Sequence, residues 1–264
     1  MADLWPNYDN LWQSTLHWRP NQPQETAFAQ LYQALLVANQ QVNLTRLTTP
    51  DDFWEKHLWD SLQGVAPWLV TAADEAGPLK APLKVIDIGT GGGFPGLPLA
   101  LVFPHWRVTL IDGTRKKIAA IEAMVQSLGT ANVELLADRA EHLGHQLNHR
   151  EAYDLALIRA VGGVNTCAEY ALPLLKRGGQ AILYRGQWTP DEEASLTAIL
   201  PRLGGKLGIV RTMTTPLSGG VRHNVEILKV APTPDTYPRL PGMPAKQPLE
   251  HRHRMPRSQG SWAD

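Results

Sequence analysis

The sequence has little of several features that would each point to a particular class of protein. Its 264 residues include a single cysteine, Cys167, and its 25 basic and 25 acidic side chains cancel. One thiol cannot form an intramolecular disulfide, which fits a reducing compartment. No apolar run approaches the roughly 20 residues that span a bilayer, and the N-terminus lacks a signal-peptide pattern. We therefore expect a cytoplasmic protein with no membrane segment.

A net charge of zero does not mark a nucleic-acid-binding protein, but the C-terminal end differs from the average. Between Arg239 and Arg257 five lysine and arginine side chains stand against one acid, Glu250. Seven prolines lie between positions 232 and 256, and proline disrupts the interior of helices and sheets. Residues 232–264 are therefore predicted to form a Pro-rich basic tail that is extended and mobile when unbound.

The rest of the chain divides into two regions by its apolar pattern. Residues 1–80 form an N-terminal helical region, with helices predicted at 26–42 and 51–62 and a linker at 71–82. From residue 81 to 231 short apolar strands alternate with helices, which indicates a parallel sheet covered on both faces. The predicted strands are 84–88, 107–111, 133–137, 153–158 and 180–184, followed by a hairpin-like pair at 206–213 and 221–230.

A glycine-rich loop, DIGTGGGFPG at residues 87–96, follows the first predicted strand. Its glycines satisfy the G-x-G-x-x-G pattern of dinucleotide sites, but that match alone is weak. Asp87 is an extra anion where a pyrophosphate would arrive, and Pro95 and Pro98 lack backbone donors. S-adenosylmethionine carries an ammonium and a sulfonium and has no phosphate, so a nearby carboxylate favours it. We therefore predict that Asp87, Gly89 and Gly91 help to bind this cofactor, with the glycines allowing close backbone approach.

A second acid, Asp112, ends the second predicted strand, 19 residues after Gly93. A carboxylate at this position accepts hydrogen bonds from ribose hydroxyls. The segment 137–141 follows the third strand, where adenine contacts fall in this kind of fold. Together these spacings predict a class I S-adenosylmethionine-dependent methyltransferase: a Rossmann-like, seven-stranded α/β sheet with an N-terminal helical extension. A nonenzymatic or NAD-binding Rossmann protein remains the alternative.

The residues after the fourth strand bear on the methyl acceptor. They begin Arg159-Ala160, with no Asn/Asp-Pro-Pro-Tyr clamp for an exocyclic amine and no cysteine that could attack a pyrimidine ring. An acceptor that is already nucleophilic fits this absence. Guanine N7 has a lone pair and no proton, so its methylation requires alignment and no general base. A small metabolite, which the zero net charge favours, stays open as a second class of acceptor.

Motifs spread along the chain resemble the bacterial 16S rRNA guanine-N7 methyltransferases, the RsmG family, also called glucose-inhibited division protein B. The glycine loop is similar to the family's D-[IV]-G-[ST]-G-x-G-[FL]-P-G, and residues 1–23 and 250–264 have no matching counterpart. The other matching segments are Asn43-Leu44-Thr45, His57 with Asp60-Ser61, Arg159-Ala160, Gly186-Gln187, Arg222-His223 and the proline-rich 236–249.

The resemblance implies roles for individual residues. Those implied to contact S-adenosylmethionine are Gly89, Phe94, Asp112, Gly113, Thr114, Ala140, Glu141 and Arg159. Those implied to contact RNA or to shape the pocket are His57, Asp60, Arg185, Arg222 and His223. We assign Arg159 and Arg185 to the reaction itself, and Arg239 of the basic tail to phosphate contacts.

Two positions depart from the family pattern. Arg185 stands where the family usually has lysine, which keeps the charge but changes the hydrogen-bond geometry. Gly113 stands where serine is usual, which favours a backbone contact over a hydroxyl contact. The expected partner is 16S rRNA or a 30S assembly particle, and no metal is expected, because His251 and His253 have poor spacing for a site. A monomer is expected, although the sheet edge is also compatible with a dimer.

Overall fold

The computed structural model describes residues 6–72 and 82–250. The predicted linker at 71–82 therefore lies mostly outside the described residues, and so do the last basic residues, 251–264. In the described part of the chain, no helix combines the length and the apolar character that crossing a membrane requires.

The N-terminal region is helical, as predicted. Helix α1 spans Asp9–Leu16, and α2 spans Gln22–Gln41. Helix α2 begins four residues before the predicted start because Asn21 caps it. The Asn21 side chain accepts from the backbone N–H of Gln24 at 3.0 Å, and the Gln24 side chain accepts from the backbone N–H of Asn21 at 2.9 Å.

The second predicted helix is confirmed, but it contains a π-helical stretch. Its three consecutive pieces, together called α3 (residues 50–63), are Pro50–Asp52, the π-helical Phe53–Trp59 and Asp60–Gln63. Such wider turns are uncommon and occur frequently at functional sites. Helix α3 contains two of the predicted site residues, His57 and Asp60, and α4 follows at Ala66–Ala72.

A seven-stranded sheet forms the centre of the molecule in the order β3-β2-β1-β4-β5-β7-β6. The first five strands are parallel, and β7 runs antiparallel to both β5 and β6. The predicted parallel sheet with a closing antiparallel pair is therefore confirmed. The strands are β1 Lys84–Ile88, β2 Arg107–Ile111, β3 Val133–Leu136, β4 Tyr153–Arg159, β5 Leu175–Arg185, β6 Gly205–Thr214 and β7 Val221–Lys229.

Helices cover both faces of the sheet, since alternate residues of a strand point to opposite faces. On β1, Val85 belongs to the core beneath the N-terminal helices, whereas Ile86 belongs to the core on the opposite face. The remaining helices are α5 Gly96–Val102, α6 Arg115–Leu128, α7 Ala140–Leu143, α8 Val164–Ala171, α9 Pro190–Ile199 and α10 Met243–Lys246.

Helix α3 also holds the loop that joins β6 to β7. The Glu55 carboxylate accepts from the backbone N–H groups of Leu217 and Ser218 and from the Ser218 hydroxyl. Burial alone would raise the pKa of Glu55, but hydrogen bonds from Lys56, Ser218 and Leu217 outweigh it and lower the pKa to about 2. The hairpin is thus fastened to the helix by an ionised carboxylate.

The prediction of an extended tail is wrong for residues 232–250, which pack against helix α8 and the loop after α7. Thr233 and Leu249 are buried, and the short helix α10 forms within the segment. Helix α10 accommodates Pro244 because this residue lies in its first turn, where a missing N–H group has no intrahelical acceptor. The proline count described local backbone preference correctly but did not reveal the docking contacts.

Arg150 binds two backbone carbonyls at the start of the segment. Its Nη1 donates to the backbone carbonyls of Gly144 at 2.6 Å and Tyr237 at 2.9 Å. Its Nη2 donates to the carbonyl of Thr233 at 2.6 Å. One guanidinium therefore joins the loop after α7 to two points of the C-terminal segment.

We expect Arg150→Met to lower the free energy of unfolding by about 2 to 4 kcal/mol, because three carbonyls lose a charged donor. Urea denaturation measures this change. The control is Arg177→Met, at an exposed position of β5, which should change stability by no more than about 0.5 kcal/mol. Equal losses in the two variants would contradict the anchoring role.

The Glu55 contacts predict a pH dependence. Because the folded-state pKa is lowered to about 2, the stabilisation is complete above the unfolded-state value near 4.5 and is lost as the pH falls toward 2. The stability difference between the wild type and Glu55→Gln should therefore shrink as the pH is lowered from 5 to 3. Denaturation curves at several pH values test this, and a constant difference would refute it.

Candidate active site

The predicted site residues come from distant parts of the sequence and meet at one edge of the sheet. The parallel strands end there, so the loops after β1, β2, β3, β4 and β5 lie side by side. Strand β7 enters at the same edge, because Arg185 at the end of β5 pairs with His223 near the start of β7. The site therefore combines the glycine loop with basic residues from three other strands.

The glycine loop follows a backbone path that few other residues could adopt. Gly91 has a φ of +61° and Gly93 has a φ of +94°. A Cβ at Gly93 would lie 2.5 Å from a methyl carbon of Leu97, so packing also excludes a side chain there. At Gly91 the nearest atom to such a Cβ would be the Gly89 carbonyl oxygen at 3.9 Å. Gly91 therefore borders open space that a ligand can enter.

Asp87 lies beneath this loop and binds it at two points, Thr90 near its start and Gly96 at its end. Its carboxylate is fully buried, and Oδ2 accepts from the backbone N–H of Gly96 at 2.9 Å and from Thr90 Oγ1 at 2.6 Å. Burial raises its pKa to about 6, although these two bonds and Arg159 act in the opposite direction. Its Oδ1 is buried without a hydrogen-bond partner among the described residues. A buried acceptor in this state favours a cation nearby.

Asp112 joins the loop to the end of β2. Its Oδ2 accepts from the backbone N–H of Gly91 at 3.1 Å, and its Oδ1 accepts from that of Thr114 at 2.8 Å. Gly113 and Thr114 are exposed beside it. The predicted ribose acceptor therefore lies next to the open side of Gly91.

Phe94, in the same loop, packs between two predicted site residues. The His57 ring stacks on it with centroids 4.4 Å apart, and the Arg159 guanidinium carbon lies 5.9 Å from its centroid. Burial, together with the positive charge of Arg159, lowers the pKa of His57 to about 3. His57 is therefore uncharged at neutral pH. Its Nε2 lies 3.0 Å from Thr45 Oγ1.

Asp60 lies between two arginines. Its Oδ2 accepts from Arg159 Nη1 at 2.8 Å, and its Oδ1 accepts from Arg222 Nε at 3.0 Å. Arg159 Nη1 also donates to the carbonyl of Lys56 at 2.8 Å. Helix α3 is thus connected through one side chain to the ends of β4 and β7.

Arg185 lies further along the same edge. Its Nη1 donates to the carbonyl of Gly162 at 2.8 Å, and its Nη2 donates to Glu192 at 2.6 Å. Arg185 Nε and His223 Nδ1 are both buried without a partner among the described residues. These two nitrogen atoms, which lie next to the loop after β4, can each form a further hydrogen bond.

Three predicted residues lie on the side of the C-terminal segment. Ala140 is buried, and the buried Glu141 accepts from Arg139 at 2.9 Å and from the backbone N–H of Gly242 at 2.8 Å. Arg239 binds the fully buried Glu169 through Nε at 2.9 Å and through Nη2 at 2.7 Å. The carboxylate of Glu141 and the guanidinium of Arg239 are therefore engaged within the protein.

Three further residues help to build the site without having been predicted to do so. Thr45 faces His57, the Lys56 carbonyl holds Arg159, and Val161 lies 2.6 Å from the position of a Cβ at Gly89. The Asn43-Leu44-Thr45 motif was a signal for Thr45, whereas a backbone carbonyl leaves no trace in a sequence. Among the described residues, no group of three or more His, Cys, Asp or Glu side chains is arranged to hold a metal ion.

Comparison with known proteins agrees with this arrangement. Residues 24–214 match the profile of the family described as GidB, rRNA small subunit methyltransferase G. The ribosomal RNA small subunit methyltransferase G of Trichormus variabilis is 50% identical over 249 residues, which cover 94% of this chain and 100% of that protein. The protein of the same name from Synechococcus sp. is 49% identical over 247 residues, 92% of this chain and 94% of that protein.

The fold also occurs in more distant structures. MtNAS, solved in complex with MTA and tNA, has a TM-score of 0.50 at 12% identity, over 75% of this chain and 71% of that one. At this identity the likeness concerns the fold, which is that of the class I methyltransferases, as predicted. Because the sequence matches extend over nearly the whole chain, we conclude that this chain belongs to the rRNA small subunit methyltransferase G family.

Proposed function

We propose that this chain transfers a methyl group from S-adenosylmethionine to N7 of a guanine in 16S rRNA. The observation that carries the proposal is the family relationship, at about half identity over almost the entire length. The site at the carboxyl edge of the sheet supports it, because the chemistry of each loop there suits this donor and this acceptor.

The residues present fit the cofactor. When bound, S-adenosylmethionine supplies an electrophilic methyl group on a positively charged sulfur. Gly91 provides open space, Asp112 lies beside it to accept from ribose hydroxyls, and the unpartnered Oδ1 of Asp87 favours a cation over a phosphate. The other residues that we propose to contact it are Gly89, Phe94, Gly113, Thr114, Ala140, Glu141 and Arg159.

The chemistry asked of the side chains is mainly alignment. Guanine N7 attacks with its own lone pair, so no group has to remove a proton first. His57 matches this requirement, since its lowered pKa, about 3, makes it a weak base at neutral pH. We assign it to holding Phe94 in place. Arg159 and Arg185 are proposed to hold carbonyl or phosphate oxygens of the acceptor beside the donor.

Arg185, Arg222 and His223 form the proposed RNA side, because they lie together where β5 and β7 meet the site edge. His57 and Asp60 are buried and are assigned to shaping the pocket. A phosphate contact by Arg239 would require it to share or leave Glu169. We further propose that the chain acts in the cytoplasm, as a monomer, on 16S rRNA or a 30S assembly particle, with 1–80, 81–231 and 232–264 as its functional divisions.

The direct test supplies labelled S-adenosylmethionine to the purified chain together with naked 16S rRNA, free 30S particles or a metabolite extract. We expect label in 16S rRNA, recovered as N7-methylguanosine after digestion to nucleosides. Label found only in small metabolites would reject rRNA as the acceptor and favour a small-metabolite methyltransferase. A different methylated nucleoside would reject the N7 assignment alone.

A substitution at Gly91 tests the cofactor site. Gly91→Ala places a methyl group in the open space, and Gly129 is a matched control, with a φ of +62° and no atom within 4 Å of its Cβ position. Both alanine variants should lose about 1 to 2 kcal/mol of stability from the left-handed backbone. Only Gly91→Ala should weaken S-adenosylmethionine binding, by about tenfold or more in calorimetry. Equal affinity in both variants would place the cofactor elsewhere.

A further inference from the structure

Asp60 occupies a position that the proposed chemistry does not by itself explain. The whole residue is only 6% exposed, and each of its two carboxylate oxygens binds a different arginine. We propose that Asp60 is a positioning residue that fixes Arg159 beside the cofactor loop and couples it to Arg222 on the acceptor side. This inference rests on the proposed function. It explains how the cofactor side of the site is linked to the acceptor side.

The contacts of Arg159 show what Asp60 fixes. Nη1 is held by both Asp60 and the carbonyl of Lys56, each at 2.8 Å, and the guanidinium lies over Phe94 of the glycine loop. Within the described residues, the hydrogen bonds of Arg159 all run through Nη1. Nε and Nη2 are therefore left to bind an oxygen of the acceptor. Loss of Asp60 would free the guanidinium to rotate away from this orientation.

Arg222 is the outer member of the trio. Its side chain is 26% exposed, against 18% for Arg159 and 8% for Asp60. An RNA phosphate that approaches this edge therefore meets Arg222 first. A phosphate bound to Arg222 fixes that side chain, and Arg222 in turn holds Oδ1 of Asp60 while Oδ2 of Asp60 holds Arg159. Binding of the acceptor thereby favours the orientation of Arg159 that the transfer requires.

Electrostatics support the same conclusion. Two partly buried guanidinium groups repel each other, and one shared carboxylate between them offsets that repulsion. The trio carries a net charge of +1, which suits a phosphate or a carbonyl oxygen. Without Asp60 the two cations would separate, although either could still bind RNA. The catalytic rate should therefore depend on Asp60 more than the affinity for RNA does.

The experiment compares Asp60→Asn and Asp60→Glu in the full chain. Asp60→Asn should lower kcat for rRNA methylation by about 10- to 100-fold through misplacement of Arg159, and S-adenosylmethionine affinity should fall by a smaller factor because Gly91 and Asp112 still bind the cofactor. Asp60→Glu, which keeps the carboxylate, should recover part of the rate. An unchanged kcat in Asp60→Asn, with a loss of stability alone, would overturn the proposal.

A double-mutant cycle with Arg222→Gln tests the coupling. In the wild-type background Arg222→Gln should raise KM for rRNA and also lower kcat. In the Asp60→Asn background it should still raise KM but leave kcat unchanged, because the connection to Arg159 is already lost. If each substitution lowered kcat by its own factor and the two factors multiplied in the double variant, the coupling would be contradicted.

Asp154→Asn is the matched control, near the start of β4, the strand that ends at Arg159. Like Asp60, Asp154 has two donor partners, here the backbone N–H of Lys84 at 2.8 Å and the cation of Lys176 at 2.6 Å. Its loss should change stability and leave kcat unaltered when both variants are assayed fully folded. If the wild type failed to methylate rRNA, the proposed function would fail. If it methylated rRNA and Asp60→Asn retained kcat, only the positioning role would fail.

Discussion

The carboxyl ends of five parallel strands share one edge of the sheet, and the rest of the site depends on this constraint. It brings residues between positions 57 and 223 into one neighbourhood without requiring them to be close in sequence. Within that neighbourhood the fully buried Asp87 secures the glycine loop by accepting from Gly96 and Thr90. The loop can then leave Gly91 open, because its path is fixed from beneath.

Charge is arranged in this site as buried or half-buried ion pairs more than as an exposed basic surface. Asp60 takes two arginines, Glu192 takes Arg185, and Glu169 takes Arg239. Such pairing is compatible with a net charge of zero in a member of a family named for an rRNA methyltransferase. In the proposed mechanism an arriving phosphate competes for arginines that are already oriented. Their carboxylate partners reduce the repulsion among neighbouring cations while the site waits for its substrate.

Much of the fold could be predicted because its signals are local. The bounds of β1 and β2 are those predicted from short apolar runs, and the glycine loop lies in one continuous segment. The partners of Asp60 could not be predicted, since they lie 99 and 162 positions away and their pairing depends on strand order. The C-terminal segment was predicted wrongly for a similar reason. Its prolines report only local backbone preference, whereas its carbonyls are held by Arg150, which is more than 80 positions away in the sequence.

The glycine loop has a buried acid and two prolines where a dinucleotide would require phosphate donors, and these residues favour S-adenosylmethionine. A G-x-G-x-x-G pattern alone would admit either cofactor. Isothermal titration of the purified full chain with S-adenosylmethionine and, separately, with NAD measures that selectivity directly. We expect S-adenosylmethionine to bind and NAD not to bind. Binding of NAD without binding of S-adenosylmethionine would contradict this expectation.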